Sequence, residues 1–154
     1  MAEIATVRGT GFLKNKTASP VYQGKMATVV RVVDGDTIVL ESGERVRYIG
    51  VDAPESRHLR MPIEPFAVEA AEFNRKMVEG KQVYLITDEE PEDRYGRLLA
   101  YIFVGDVFVN ARLVSEGYAR ERAYPPNVRF KPLFVSLQKE AIGARKGIWG
   151  MNGH

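Results

Sequence analysis

The sequence predicts a single mixed domain, mainly β with helices attached, containing about five strands and three helices. Two observations carry this: short runs rich in β-branched residues alternate with turn signals, and later segments repeat apolar residues at helical spacing before a glycine. At 154 residues, with 45% hydrophobic and 27% charged residues, the chain is large enough for one core and too short for a second domain of ordinary size.

Met26 to Val33 is dominated by β-branched residues and reads as a first strand that runs into Asp34-Gly35, a turn signal. Thr37 to Ser42 and Glu44 to Val51 follow as two alternating runs joined at Ser42-Gly43, the pattern of a hairpin. Antiparallel pairing about that turn sets residues near Asp36 opposite those near Val51. The segment Ser56 to Pro65, with His58 and two prolines, reads as an exposed loop. A helix is expected from Pro65 or Phe66 to Gly80, with Phe66, Ala70, Phe73 and Met77 on its core face. Lys81 to Thr87 is the next strand, Leu98 to Val104 the one after, and Gly105-Asp106 turns the chain into Val107 to Val109. Asn110 to Glu116 reads as a short helix capped by Asn110 and stopped by Gly117. Lys131 to Lys146 is a long helix with a stripe of Leu133, Leu137, Ala141 and Ala144, and Trp149 beyond it reads as a packing anchor.

The domain is expected over residues 26–150, after an N-terminal arm or edge segment (1–25) and before a short tail (151–154). The net charge of +2 resides in that arm, where Arg8, Lys14, Lys16 and Lys25 face only Glu3, so overall charge argues weakly for a nucleic-acid partner. The absence of cysteine excludes disulfides and thiolate metal sites. No run of about 18 apolar residues is present, so no membrane span is expected. Residues 1–20 lack the apolar core of an intact signal peptide, and an extracellular or cell-envelope location is compatible with a trimmed signal.

The chemistry concentrates in two stretches, Val33-Asp34-Gly35-Asp36-Thr37 and Arg47-Tyr48-Ile49-Gly50-Val51-Asp52-Ala53-Pro54-Glu55. Each taken alone reads equally well as turn chemistry, since Asp-Gly punctuates turns and Asp-Ala-Pro-Glu leaves a strand through a proline. Together they gather Asp36, Asp52 and Glu55 at the open end of the hairpin. Crowded carboxylates raise one another's pKa unless a cation sits among them. Oxygen ligands suit Ca²⁺ or Mg²⁺. Arg47 within the hairpin and Arg97 after the acidic run Asp88 to Asp93 supply guanidinium forks for phosphate oxygens. Simple alternation places Arg47 and Asp52 on opposite strand faces, so a bulge, twist or the reach of the arginine has to unite them.

These blocks, with Asp93-Arg94-Tyr95-Gly96-Arg97-Leu98-Leu99-Ala100-Tyr101, Val109-Asn110 to Gly117 and Lys146-Gly147-Ile148-Trp149, resemble the staphylococcal nuclease (thermonuclease) family from about Met26 to Trp149. The resemblance implies a five-stranded oligonucleotide-binding (OB-fold) barrel with three helices, in agreement with the strands and helices counted above. It also implies a Ca²⁺-dependent nuclease acting on DNA and RNA, with a preference for single-stranded or unstacked regions, little sequence specificity and 3′-phosphate products, working as a monomer. Carried over by position, the metal ligands fall on Asp36, Asp52 and the carbonyl of Ala53. Glu55 falls on the residue proposed to activate or orient water, and Arg47 and Arg97 fall on the phosphate-binding arginines. Tyr95 aligns with a tyrosine near the substrate phosphate, and Tyr124 falls where the family has one against the base, with shifted spacing after Gly117. The competing reading is a non-catalytic nucleic-acid-binding module on the same barrel. Such modules usually lose the acids or arginines, all of which are present here.

Overall fold

The computed structural model describes residues 24–56 and 63–151. The arm before Gly24, the loop around His58 and the end of the tail lie outside the described residues.

The chain folds in the order β1 (Gly24–Asp34), β2 (Thr37–Leu40), β3 (Arg45–Tyr48), β4 (Val51–Asp52), α1 (Ala67–Val78), β5 (Gln82–Ile86), β6 (Leu98–Val104), β7 (Val107–Phe108), α2 (Val109–Ser115), β8 (Arg120–Glu121), α3 (Lys131–Gly143) and a 3₁₀ turn at Gly147–Gly150. Strand β1 is long enough to serve two neighbours: Gly24 to Thr28 pair with β5 and Val29 to Asp34 pair with β2. Register shifts between Val29 and Arg31 and between Val32 and Asp34 bend it at the change of partner, as bulges do at barrel corners. Strand β3 pairs with β2 on one side and, in parallel, with β6 on the other. With β5 joining β6 to β1, the five strands β1-β2-β3-β6-β5 close into a barrel, and three helices pack on it. This is the OB-type α+β architecture expected from the sequence.

Inward-facing residues of alternating strands fill the barrel: Val29, Ile38, Val46, Val83, Ala100 and Ile102 are all fully buried. Tyr48 is buried with them, and its hydroxyl donates to Asn74 Oδ1 on α1 at 2.7 Å. The same Asn74 donates through Nδ2 to Asp34 O at 3.0 Å, so α1 is tied to the exit of β1 by a fully satisfied polar side chain. Outside the barrel, Phe134 of α3 anchors an aromatic cluster with Tyr101, Phe108 and Phe130.

The structure departs from the sequence expectation at several elements, each for a local reason. The hairpin loop is Glu41-Ser42-Gly43, with Gly43 in the left-handed region at φ 94°, and Leu40 and Glu44 close it. The register therefore sets Thr37 opposite Arg47, and Tyr48 N donates to Asp36 O at 2.9 Å, so Asp36 faces Tyr48 rather than Val51. The expected strand Glu44 to Val51 is two strands, broken at Ile49-Gly50, where Gly50 takes φ 80°. Asn110 does not cap α2. It lies inside the helix, fully buried, accepting from Ile102 N and donating to Ile49 O, both at 2.9 Å. Helix α3 buries Phe134 and Ala141 and packs Leu137 against the core, whereas Leu133 and Ala144 are exposed, so the expected stripe holds in its middle and fails at its two ends. On α1 the fully sequestered face is Ala67, Ala70, Ala71, Asn74 and Val78, while Phe66 and Phe73 stack on Tyr118 of the segment after α2.

Candidate active site

The break at Gly50 builds the site. A left-handed residue between β3 and β4 turns the chain so that the strict two-residue alternation restarts, and Arg47 and Asp52 come to one side. A side chain at Gly50 would also meet the Phe134 ring, 2.6 Å from an ideal Cβ. The guanidinium of Arg47 then staples the turn. Its Nη1 donates to Tyr48 O at 2.9 Å and Val51 O at 2.8 Å, and its Nη2 lies 3.2 Å from Asp52 Oδ1 and 3.5 Å from Asp36 Oδ2.

Asp36 is the buried partner. Its Oδ2 accepts from Ala53 N at 2.8 Å and its Oδ1 from the Thr37 hydroxyl at 2.9 Å, so the contact with Ala53 is through its N–H. Burial pushes the Asp36 carboxyl above its ordinary pKa; Arg47, the Ala53 N–H and the Thr37 hydroxyl oppose this, while the charge of Asp52 adds to it. Asp52 is half-buried at the rim of the cleft.

The third acid stands apart. Glu55 is exposed, and its backbone N–H donates to Glu64 Oε1 at 3.1 Å. Among the described residues no three acidic, histidine or cysteine side chains come together at metal-holding reach, so the expected trio resolves into the pair Asp36 and Asp52. Asp34 flanks the turn expected there, paired with Thr37 across Gly35-Asp36, and has a further task. Its Oδ1 accepts from the hydroxyl of Ser56 and from Ser56 N, fastening the chain beyond Glu55 to the end of β1.

Arg47 and Asp52 line one wall of an open cleft of about 450 Å³, and Arg97 and Tyr124 line others. Arg97 arrives from the entry to β6, whose parallel pairing with β3 sets Leu99 beside Arg47. Asp93 holds it, and Tyr95 lies beneath it with the Arg97 guanidinium carbon 5.6 Å from the ring centroid. Tyr95 is exposed and is not a lining residue of the cleft. Tyr124 is exposed and on the lining, so the two expected substrate tyrosines occupy different surroundings.

The sequence reading missed Asp93, Arg122 and Asn127. Asn127 closes one end of the cleft by a reciprocal amide contact, accepting from Glu90 N and donating to Glu90 O at 2.8 Å each. The acidic run Asp88 to Asp93 is not uniformly exposed. Asp88 is buried and accepts from the Tyr101 hydroxyl at 2.6 Å and from Arg129 N at 3.2 Å. The available signal was local: an acid four residues before an arginine across a Tyr-Gly turn.

Comparison with known proteins decides the relationship. Residues 45–151 match the family model described as staphylococcal nuclease homologue. The chain is 42% identical over 137 residues to a thermonuclease of Staphylococcus intermedius, covering 87% of this chain and 82% of that one. The chain belongs to the staphylococcal nuclease family. A thermonuclease of Staphylococcus hyicus is 38% identical, over 79% of this chain and 73% of its own. Endonuclease YncB of Bacillus subtilis is 35% identical, over 82% and 63% respectively. This staphylococcal nuclease family member is an enzyme, a nuclease that hydrolyses phosphodiester bonds in nucleic acid.

Proposed function

We propose that this nuclease is a Ca²⁺-dependent phosphodiesterase that cuts both DNA and RNA with little sequence specificity, as a monomer and with a preference for single-stranded or unstacked regions. Water attacks phosphorus, the P–O5′ bond breaks, and the ends left are a 3′-phosphate and a 5′-hydroxyl.

One observation carries the reading: the guanidinium of Arg47 lies within 3.5 Å of both Asp36 and Asp52 on a cleft that Arg97 also lines. The donor set fits a hard cation, because it consists of carboxylates and a backbone carbonyl. Asp36, Asp52 and the carbonyl of Ala53 are the residues that would hold Ca²⁺. When bound, the ion would neutralise phosphate charge and lower the pKa of attacking water.

The chain's own groups do the remainder. Arg47 and Arg97 bind the phosphate oxygens on which charge accumulates, and Arg97 also assists the leaving 5′-oxygen. Glu55 takes the proton of the attacking water or orients it, from an exposed segment that Asp34 fastens through Ser56. Tyr124 offers a ring face for a nucleotide base.

The test is digestion of single-stranded DNA, plasmid and RNA with Ca²⁺, with Mg²⁺ and with chelator. Degradation of DNA and RNA that requires Ca²⁺ supports the reading. Equal degradation with chelator, or none under any condition, overturns it.

A further inference from the structure

Among the described residues three arginines line the cleft, and they are not held alike. Arg47 is fixed by two backbone carbonyls and two carboxylates, and Arg97 by the carboxylate of Asp93. Arg122 is different. Its backbone is immobilised, since Arg122 N donates to Gly50 O at 2.8 Å just after β8 pairs with β4, but its side chain is 57% exposed. Its Nε donates to the hydroxyl of Tyr124 at 2.6 Å, and its nearest acid, Asp52 Oδ2, lies 3.9 Å from Nη1, at the outer limit of an ion pair. The guanidinium therefore stands in the cleft with its backbone anchored, one edge steadied by a phenol, and its outer nitrogens committed only to a distant carboxylate.

We infer that Arg122 is a third phosphate-binding arginine, which takes a non-scissile phosphate of the strand next to the bond being cut while Tyr124 holds a flanking base. The inference rests on the nuclease reading above and adds to it the subsite beyond the reacting group. Three features support this role over one in the reaction itself. Arg47 and Asp52 already flank Asp36, whereas Arg122 approaches the pair from the far side of Asp52. Bonding through Nε leaves the two Nη groups of the fork for phosphate oxygens. The guanidinium carbon also lies 5.7 Å from the Tyr124 ring centroid, so a phosphate on Arg122 and a base on Tyr124 would be neighbours, as they are along one strand. Glu90 and Asp93 also line the cleft, so Arg122 offsets part of the negative charge that an incoming strand meets there.

The test compares thymidylyl-thymidine, which has one phosphodiester and no neighbouring phosphate, with a hexathymidylate. In Arg122→Gln the ratio of the hexamer KM to the dimer KM should rise about tenfold, the loss expected for one charge-assisted contact. Arg122→Lys should restore much of that ratio because the charge remains. Hexamer binding with chelator present, followed by anisotropy over a range of salt, reads the same contact without cleavage: the slope of log affinity against log salt should fall by about 0.7 in Arg122→Gln. A KM change equal for dimer and hexamer, or an unchanged salt slope, overturns the inference and leaves Arg122 as a support for Asp52. Wild-type protein that cleaves neither substrate in any divalent cation overturns the nuclease reading instead, and the salt slope still decides the phosphate contact.

Discussion

Asp93 grips Arg97 at two points: its Oδ2 accepts from the guanidinium Nε at 2.8 Å, and its Oδ1 accepts from the Arg97 backbone N–H at 2.9 Å. Tyr95 N donates to the same Oδ1 at 2.9 Å, so one carboxylate shapes the turn and aims the arginine that the turn delivers. Asp93→Asn should lower kcat/KM by about tenfold to a hundredfold, the range for a misplaced catalytic group, and a steady-state assay checks it. A loss of activity larger than any fall in the folded fraction at the assay temperature would show that the contact aims the arginine as well as stabilising the fold.

The same pair has a defined pH signature. Burial alone would raise the Asp93 carboxyl, but the backbone and side-chain hydrogen bonds from Arg97, the Tyr95 N–H and the positive charge of Arg97 outweigh it and hold the pKa below the ordinary value. A depressed folded-state pKa means that the stabilisation is complete above the unfolded value of about 3.9 and disappears as pH falls through the lower folded value. The melting-temperature difference between wild type and Asp93→Asn should thus be flat from neutral pH to about 5 and shrink in stronger acid. A difference that changes between pH 6 and 8 would assign it to another group.

Arg47→Ala should reduce turnover by about two to three orders of magnitude, the cost of removing one charged group from a developing anion. The far-ultraviolet circular dichroism should remain native, because the barrel strands do not depend on the guanidinium for their pairing. Near wild-type turnover would remove Arg47 from the assigned role.

Asp36→Asn replaces the buried carboxylate by an amide of the same shape that can still accept from Ala53 N. Calcium affinity measured by titration calorimetry should fall at least about tenfold, since a neutral amide is a far weaker partner for a hard divalent ion. Unchanged affinity would place the ion elsewhere on the protein.

Asn110→Ala tests the fold. The change strands the Ile102 N–H and the Ile49 carbonyl, which meet only through this side chain at one end of the barrel. Two buried groups left without partners cost about 2 to 5 kcal/mol together, visible as a lower urea midpoint with a similar slope. A loss under about 0.5 kcal/mol would mean that water replaces the amide.

What the sequence made legible and what it concealed follow one division. Leu98 to Val104 stood out with the bounds it has in the structure because seven apolar residues between turn signals allow little else. Arg97, Asp36 and Asp52 could be picked out by residue type, since charged groups in short strand ends invite a chemical explanation. Other features depend on tertiary context. Asn110 at the start of a helix looks like a cap, and only the approach of Ile49, 61 residues earlier, makes it a bridge. With Leu133 and Phe134 adjacent, the phase of α3 is undetermined until the aromatic cluster around Tyr101 and Phe108 selects Phe134. The reunion of Arg47 with Asp52 hangs on the backbone sign of Gly50, which alternation counting cannot register.

The parallel seam between β3 and β6 has a consequence for when the enzyme becomes an enzyme. Arg47 and Arg97 come from segments fifty residues apart, and they face one cleft only once that long-range pairing has formed. A nascent chain carrying the β2–β3 hairpin already possesses Asp36 and Arg47 but lacks the opposing arginine. Competence to cut nucleic acid is in this way postponed until the barrel shuts, and the appearance of activity during refolding should serve as a clock for that closing event.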